Sequence, residues 1–274
     1  MRLTVTGIVV AMLILTSLCL REWSLMPDGR THIRFLDVGQ GDSILFQSRG
    51  GNSVLIDGGP DWSTLERLGE TLPFFRRTVD LVILTHPDLD HIGALPEMIR
   101  RYRIGGLILP PSDDRSPLYQ SLLAAAEIRH VPVRYAVAGE TITVDDITTF
   151  TVLWPPRVLP RGFSKQGNNH SLLLMLTAQA KRILLTSDIE EPVEKTLVAA
   201  HADLRADILK VGHHGSRTSS GTGFLLAVHP SNAIISVGKD NLFGHPRPEI
   251  VKRFKNLGIP IQRTDEKGTV DVHW

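Results

Sequence analysis

Residues 79–91 read VDLVILTHPDLDH, an apolar run from Val79 to Thr85 that passes directly into a short segment of histidines and aspartates. A continuous apolar run of this kind fits a strand covered on both faces. Pro87 stops the regular structure, and the pattern turns helical from Ile92 to Tyr102. Strand, polar loop, helix start is the arrangement that gathers side chains at the edge of an α/β sheet. His86, Asp88, Asp90 and His91 then stand together at a strand end. Imidazoles and carboxylates are the donors that zinc or manganese takes when thiolates are absent. A solvated loop could carry the same residues by chance, but it would not need the apolar strand in front of it.

Outward from this segment the chain alternates strand and helix in two comparable halves. His32–Asp37, Ser43–Gln47 and Ser53–Asp57 read as strands separated by glycine-rich turns, with a helix near Trp62–Leu72. After the Pro-rich connection Trp154–Gly162 come strands at Leu172–Leu176 and Arg182–Thr186 and a helix at Pro192–Ala200. Strands at Ile208–Val211 and Ala233–Val237 and a helix at Pro248–Leu257 complete the second half. Three of these later strands also run into polar residues: Asp188, the pair His213 and His214, and His245. Asp57 reads as a residue that orients the ligand loop, and Asp37, Gln40 and Asp42 read as turn formers.

The composition agrees with a metal site made of His and carboxylate. The chain has 274 residues, 11 histidines and a single cysteine, which excludes a disulfide framework and a cysteine-based zinc ribbon. With 42% hydrophobic and 22% charged residues it is neither a disordered tail nor a polytopic membrane protein. A net charge of +1 gives no global reason to expect an anionic partner.

From Leu3 to Leu20 no residue is charged, and Arg2 and Arg21 bracket the run. Its length suits a thin hydrocarbon core. Ser17-Leu18-Cys19-Leu20-Arg21 has no small-x-small cleavage pattern, so the reading is a signal anchor, with a cleaved signal peptide as the alternative. The expected domains are therefore residues 1–26, anchor or signal peptide, and 27–274, the catalytic body. Arg2 holds the start inside, which places the body outside the cytoplasm at the cell membrane, or secreted if the signal is cleaved.

HPDLDH, with LLTSD at 184–188 and KVGHHGS at 210–216, resembles the metallo-β-lactamase superfamily in its His-x-Asp-x-Asp-His variant. FLDVGQGDS at 35–43, LIDGG at 55–59, NNHSLLL at 168–174, LKVGHHGSRTSS at 209–220 and FGHP at 243–246 are similar to the C-terminal hydrolase domain of the competence DNA-uptake channel family. The likeness spans Thr31 to Asp271. It implies an α/β fold, a four-layer αββα sandwich preceded by one hydrophobic helix, with two divalent metal ions, zinc or manganese, between the central sheets. It also implies the ligands: His86, Asp88 and His213 on one metal, Asp90, His91 and His245 on the other, and Asp188 bridging. The channel family's many membrane helices are not seen here, and Ser187 stands where glycine is usual before the bridging aspartate. His170 sits within the Asn-Asn-x-Ser motif, and Asn168 and Asn169 occupy the place of a further lactamase histidine. His213 and His214 are not separated by sequence. Adjacent on an emerging strand, they should point to opposite sides. Our reading makes His213 the ligand and His214 a general acid or phosphate contact, with a supporting hydrogen-bonding role for His214 equally open.

Two metals suit the displacement of a phosphate ester, and also lactams, lactones and thioesters. Local charge favours an anion. The stretch between Asp146 and Asp188 holds no acid but contains Arg157, Arg161, Lys165, Lys181 and Arg182. Only Lys210, Arg217 and Lys239 carry charge between Asp207 and Asp240. The expected activity is that of a phosphodiesterase or nuclease on DNA, linked to competence. Asp188, Asp90 and His214 are the catalytic residues, and Asn169, Ser216, Arg217 and Lys165 hold the phosphate. A DNA-uptake channel is the expected protein partner, and few aromatics leave no base-stacking track, so binding should follow the backbone. The alternatives are a small-ester or lactam hydrolase and a non-catalytic DNA-binding or assembly module.

Overall fold

Alternation along the strands decides which side chains meet in the middle. In His32–Phe35, Ile33 and Phe35 are buried while His32 and Arg34 stay near the surface, where Arg34 pairs with Asp271 at 3.0 Å. The computed structural model describes residues 5–164 and 167–274. Two seven-stranded sheets are built on this rule.

The first sheet runs in the order Val270–His273, His32–Phe35, Ile44–Gln47, Ser53–Ile56, Leu81–Ile83, Leu107–Leu109, Val133–Tyr135. The second runs Ile261–Arg263, Asn232–Ile235, Ile208–Lys210, Lys181–Leu185, Leu173–Ala178, Thr148–Trp154, Thr141–Asp145. Each sheet is antiparallel over one half and parallel over the other. Between the sheets lie Phe35, Phe46, Ile83, Phe150, Leu174, Ile183 and Leu185. Phe46 and Phe150 meet edge to face at 5.8 Å, a contact that contributes about 0.5–1.5 kcal/mol beyond the area it buries.

Helices cover the two outer faces. Ser63–Thr71, Leu95–Arg101 and Pro117–Ile128 set Leu68, Met98, Ile99 and Leu122 against Leu55, Val82 and Leu107. Glu191–Ala199, Thr222–Val228 and Pro248–Asn256 set Val193, Phe224, Ile250 and Phe254 against Leu184, Leu209 and Ile235. The result is the αββα sandwich that the resemblance implies.

Several elements differ from the reading of the sequence. The run Val79–Thr85 is two strands, not one. Thr78–Val79 pairs with Arg103–Ile104, and Leu81–Ile83 enters the main sheet. Asp80 makes the break, because its carboxylate accepts hydrogen bonds from the amide and hydroxyl of Ser53 at 2.7 and 3.0 Å. The expected helix Ile92–Tyr102 is likewise divided into Leu89–Ile92 and Leu95–Arg101, around Gly93. A β carbon on Gly93 would lie 2.0 Å from the carbonyl oxygen of Pro60, so only glycine lets the two loops close on each other.

The helix Val5–Ser24 stands apart from the sandwich, and none of its residues is buried. It is long and apolar enough to cross a membrane. Two hydrogen bonds tie its end to the body: Arg21 donates to the Gly69 carbonyl at 3.0 Å, and the Phe74 amide donates to Glu22 at 2.6 Å.

Candidate metal centre

The parallel strands of both sheets end at one edge of the sandwich, and the polar segments of the sequence lie on the loops that follow. Leu81–Ile83 leads to His86, Lys181–Leu185 to Asp188, and Ile208–Lys210 to the turn Gly212–Gly215. The amide of Leu172 donates to the Thr85 carbonyl at 2.9 Å and joins the two sheets beside the site.

Backbone contacts fix the loop 86–91. The Asp42 amide donates to the Asp90 carbonyl at 3.1 Å and the Gly58 amide to the His91 carbonyl at 2.6 Å. The glycine-rich stretches around Gly41 and Gly58 are therefore the clamp on the ligand loop. Gly41 has φ +151°, and a β carbon there would fall 2.3 Å from the Asp90 oxygen. Asp57 is buried and accepts from the amide and hydroxyl of Thr85, each at 2.7 Å, and from His91 Nδ1 at 2.8 Å. Burial, only partly offset by His91, raises the Asp57 carboxyl. With Nδ1 taken, His91 presents Nε2 to the cleft, the orientation that a supporting carboxylate gives a metal-binding histidine.

Asp90, His91, Asp188 and His214 offer donor atoms that all lie within 4.8 Å of one another. His214 Nε2 is 3.3 Å from Asp90 and 3.4 Å from Asp188, and His91 Nε2 is 3.5 Å from Asp188. His214 Nδ1 faces the Ser236 carbonyl at 2.9 Å, so this ring too is held from behind. Next to this group, His86 Nε2 lies 3.7 Å from Asp88, and the His86 and His91 rings are 4.0 Å apart.

His213 and His214 do not follow the alternation of a strand. The strand ends at Lys210, and both histidines take left-handed backbone angles, φ 47° and 51°. The alternation of a strand is thereby lost, and both rings approach Asp188. His213 is the outer of the two, 3.9 Å from Asp188 and 3.6 Å from Glu190, and only its ring is partly exposed. His245 lies outside the four-residue group and packs its ring on His213 at 5.7 Å. Burial, and then His213, lower His245 to about 4.

Electrostatics prepares this cleft for cations. Burial opposes charge on every group in it, yet His214 and His91 hold Asp188 well below the usual carboxylate range. Burial would lower His91 and His214, but Asp188, with Asp57 for His91 and Asp42 for His214, outweighs it. His91 is raised well above the usual imidazole range and His214 to about 9. Burial and then His91 keep His86 well below it. His86 Nε2, His91 Nε2, His214 Nε2 and Asp188 Oδ1 are all buried with no hydrogen-bond partner. Buried polar atoms without partners are costly, and several converging on one cleft are what a metal would satisfy. The residues present thus fit divalent cations.

The sequence suggests Lys210 as positive charge near the substrate, and the structure corrects this. It is fully buried, ion-paired with Asp42 and 3.8 Å from Asp188. Burial would lower the ammonium, but Asp42 and Asp188 raise it. Asp42, read as a turn former, is therefore a buried counter-ion. Arg182 belongs to the opposite edge, at the start of the strand that ends before Asp188, and pairs with Asp203 at 2.9 Å. The acid-free stretch is therefore not uniformly turned toward the site.

Among the expected phosphate contacts, Asn169 has both ends of its amide engaged. It donates to Glu190 Oε2 and accepts from the Glu190 amide, each at 3.0 Å. A bulge between Val152 and Trp154 turns the Trp154 ring to the outer core, where Nε1 donates to the Asn169 carbonyl at 2.8 Å. Ser216 is buried, with its hydroxyl 3.1 Å from that of Thr218. Arg217 is exposed and reaches Glu249 only at 4.0 Å. Lys165 lies outside the described residues. Glu190 was not singled out by the sequence, yet it ties Asn169, His213 and the Thr218 hydroxyl, 2.7 Å away, into one network. Ser187, at φ 47°, explains why glycine suits this position. Its hydroxyl lies 2.7 Å from that of Thr85 and 3.3 Å from His86 Nδ1.

Comparison with known proteins follows the same geometry. The metallo-β-lactamase superfamily description matches residues 36–239. The chain is 32% identical over 261 residues to ComE operon protein 3 of Bacillus subtilis, covering 88% of this chain and 33% of that one. It is 27% identical over 251 residues to competence protein ComA of Neisseria gonorrhoeae, covering 89% and 32%. The chain thus spans about a third of the length of these relatives. Among solved structures, the metallo-β-lactamase fold protein YhfI of Bacillus subtilis superposes with a TM-score of 0.61 at 13% identity, over 89% of this chain and 100% of that one.

Proposed function

This chain belongs to the metallo-β-lactamase superfamily and is a metal-dependent hydrolase by fold and site; on that premise we propose that it is a dinuclear phosphodiesterase acting on DNA. The observation that carries the proposal is the convergence of buried donors without hydrogen-bond partners from His86, His91, Asp188 and His214, with the carboxylate of Asp90 beside them. Asp90, His91, Asp188 and His214 would hold one ion, zinc or manganese, and His86 and Asp88 would hold a second. Two such ions supply Lewis-acid polarisation and charge neutralisation for displacement at phosphorus.

The roles of the neighbouring histidines exchange relative to the sequence expectation. His214, buried and held from behind, is the ligand. His213, at the cleft mouth against Glu190, is placed to give a proton to the leaving oxygen. Arg217 is free enough to meet a phosphate from solvent, while Asn169 and Glu190 hold the loop that positions His213. The similarity to competence proteins supports DNA as the substrate and a DNA-uptake channel as partner. The exposed apolar helix Val5–Ser24 supports anchoring at the cell membrane, and Arg2 ahead of the apolar run supports a body on the extracytoplasmic side.

The test uses the full chain purified in detergent. Bound metal is measured, and hydrolysis of single-stranded DNA and of bis-nitrophenyl phosphate is followed with zinc and with manganese. The expected result is metal-dependent cleavage of both substrates, with DNA cleavage falling as salt rises and both lost in Asp188→Ala. Turnover of esters or lactams without DNA cleavage would overturn the nuclease reading. Activity unchanged in Asp188→Ala would overturn the site.

A further inference from the structure

Two exposed phenylalanines follow the helix Ser63–Thr71. Phe74 is 72% exposed and Phe75 68%, in the stretch Leu72-Pro73-Phe74-Phe75-Arg76-Arg77. Adjacent exposed aromatics of this size on a well-packed domain call for a covering surface. The neighbouring structure says which one. The Phe74 amide donates to Glu22 and the Gly69 carbonyl accepts from Arg21, so the segment carrying the pair is tied to the last turn of the exposed apolar helix Val5–Ser24. Trp23, in that same turn, is 75% exposed. Arg77 extends its guanidinium over the Phe74 ring at 5.5 Å, and Arg76 points to the Gly51 carbonyl. An apolar helix ending in tryptophan, with aromatics and arginines level with its end, is the composition of a membrane interface.

We propose that the face carrying Phe74 and Phe75 rests on the anionic lipid surface that the Val5–Ser24 helix enters, with both rings at the boundary between headgroups and acyl chains. The proposal rests on the anchor reading given above. It also fixes which way the catalytic edge faces. Helix Ser63–Thr71 begins at the site, where the Thr64 hydroxyl donates to the Gly58 carbonyl at 2.6 Å, and ends beside Phe74. At 1.5 Å per residue it separates the two by about 13 Å. Strand Leu81–Ile83 makes the same journey in reverse, from Asp80 to His86. The metal cleft thus opens at the edge of the sandwich remote from the bilayer.

The experiment uses the full chain in vesicles of phosphatidylethanolamine and phosphatidylglycerol with brominated acyl chains. In a Cys19→Ser background, bimane is attached at Phe74→Cys, at Phe75→Cys and, for comparison, at Leu242→Cys, a fully exposed position on the His245 loop. Flotation with the vesicles reports the anchor separately. Bimane at positions 74 and 75 is expected to lose most of its emission to bromine, and bimane at 242 none. A chain that floats while 74 and 75 stay as bright as 242 overturns the face and leaves the anchor standing, pointing to a protein partner for the patch. A chain that does not float overturns both.

Discussion

The two halves of the sandwich meet the same cleft by different routes. The first sheet delivers His86, Asp88, Asp90 and His91 on one loop, after one strand. The second delivers Asp188, His213 and His214 from the ends of two strands, with His245 beyond a third. A single loop can be held by backbone, and the first half does this with the Asp42 and Gly58 amides and one supporting carboxylate, Asp57. Separate strand ends need long-range side-chain ties, and the second half uses a buried ammonium, Lys210, and the Glu190 network. The first half is therefore a motif, and the second an assembly.

The sharpest way to break this contrast is at Lys210. Lys210→Met leaves Asp42 buried without its counter-ion, and urea unfolding in chelator should show a loss of about 3–5 kcal/mol. Adding Asp42→Asn should restore part of it, since no uncompensated carboxylate then remains. Equal stability of Lys210→Met and the parent chain would remove the ion pair from the account.

A smaller effect separates the adjacent histidines. His214→Ala should weaken metal binding by more than the roughly 10–100-fold that loss of an outer partner costs. His213→Ala should keep its bound metal and lose turnover with little change in KM. Metal analysis after dialysis, together with kinetics on bis-nitrophenyl phosphate, reads both. The reverse pattern would return the ligand role to His213.

The mildest change is on the first half. Asp57→Asn keeps the shape of the contact with His91 but not its charge, and metal affinity should fall by about 10–100-fold with folding retained. Competition with a chromogenic chelator measures this. A loss larger than that of His214→Ala would mean that the backbone clamp does not hold the loop by itself.

The same contrast explains what could be read beforehand. The loop 86–91 is legible because its ligands, its strand and its helix lie within a few residues, and LLTSD repeats the strand-to-carboxylate pattern at Asp188. The roles of Lys210 and Asp42 are not legible in the sequence because their pairing joins residues far apart, and each alone resembles an ordinary surface charge or turn. His213 and His214 look like strand residues until the left-handed turn is known. The strands Leu107–Leu109 and Val133–Tyr135 are too short to carry a period, and the helix Pro117–Ile128 with the hairpin Thr141–Trp154 carries no motif that draws attention to it.

The last strand described, Val270–His273, returns to pair antiparallel with His32–Phe35, and Thr31 and Trp274 exchange two backbone hydrogen bonds at 3.0 and 3.1 Å. Mechanically, this puts the two ends of the sandwich at a single point. A pull between the helix and Trp274 opens that pair like a zip, one rung after another, and the load dissipates at the sheet margin. The strands that carry His86 and Asp188 lie in the sheet interiors, away from this margin.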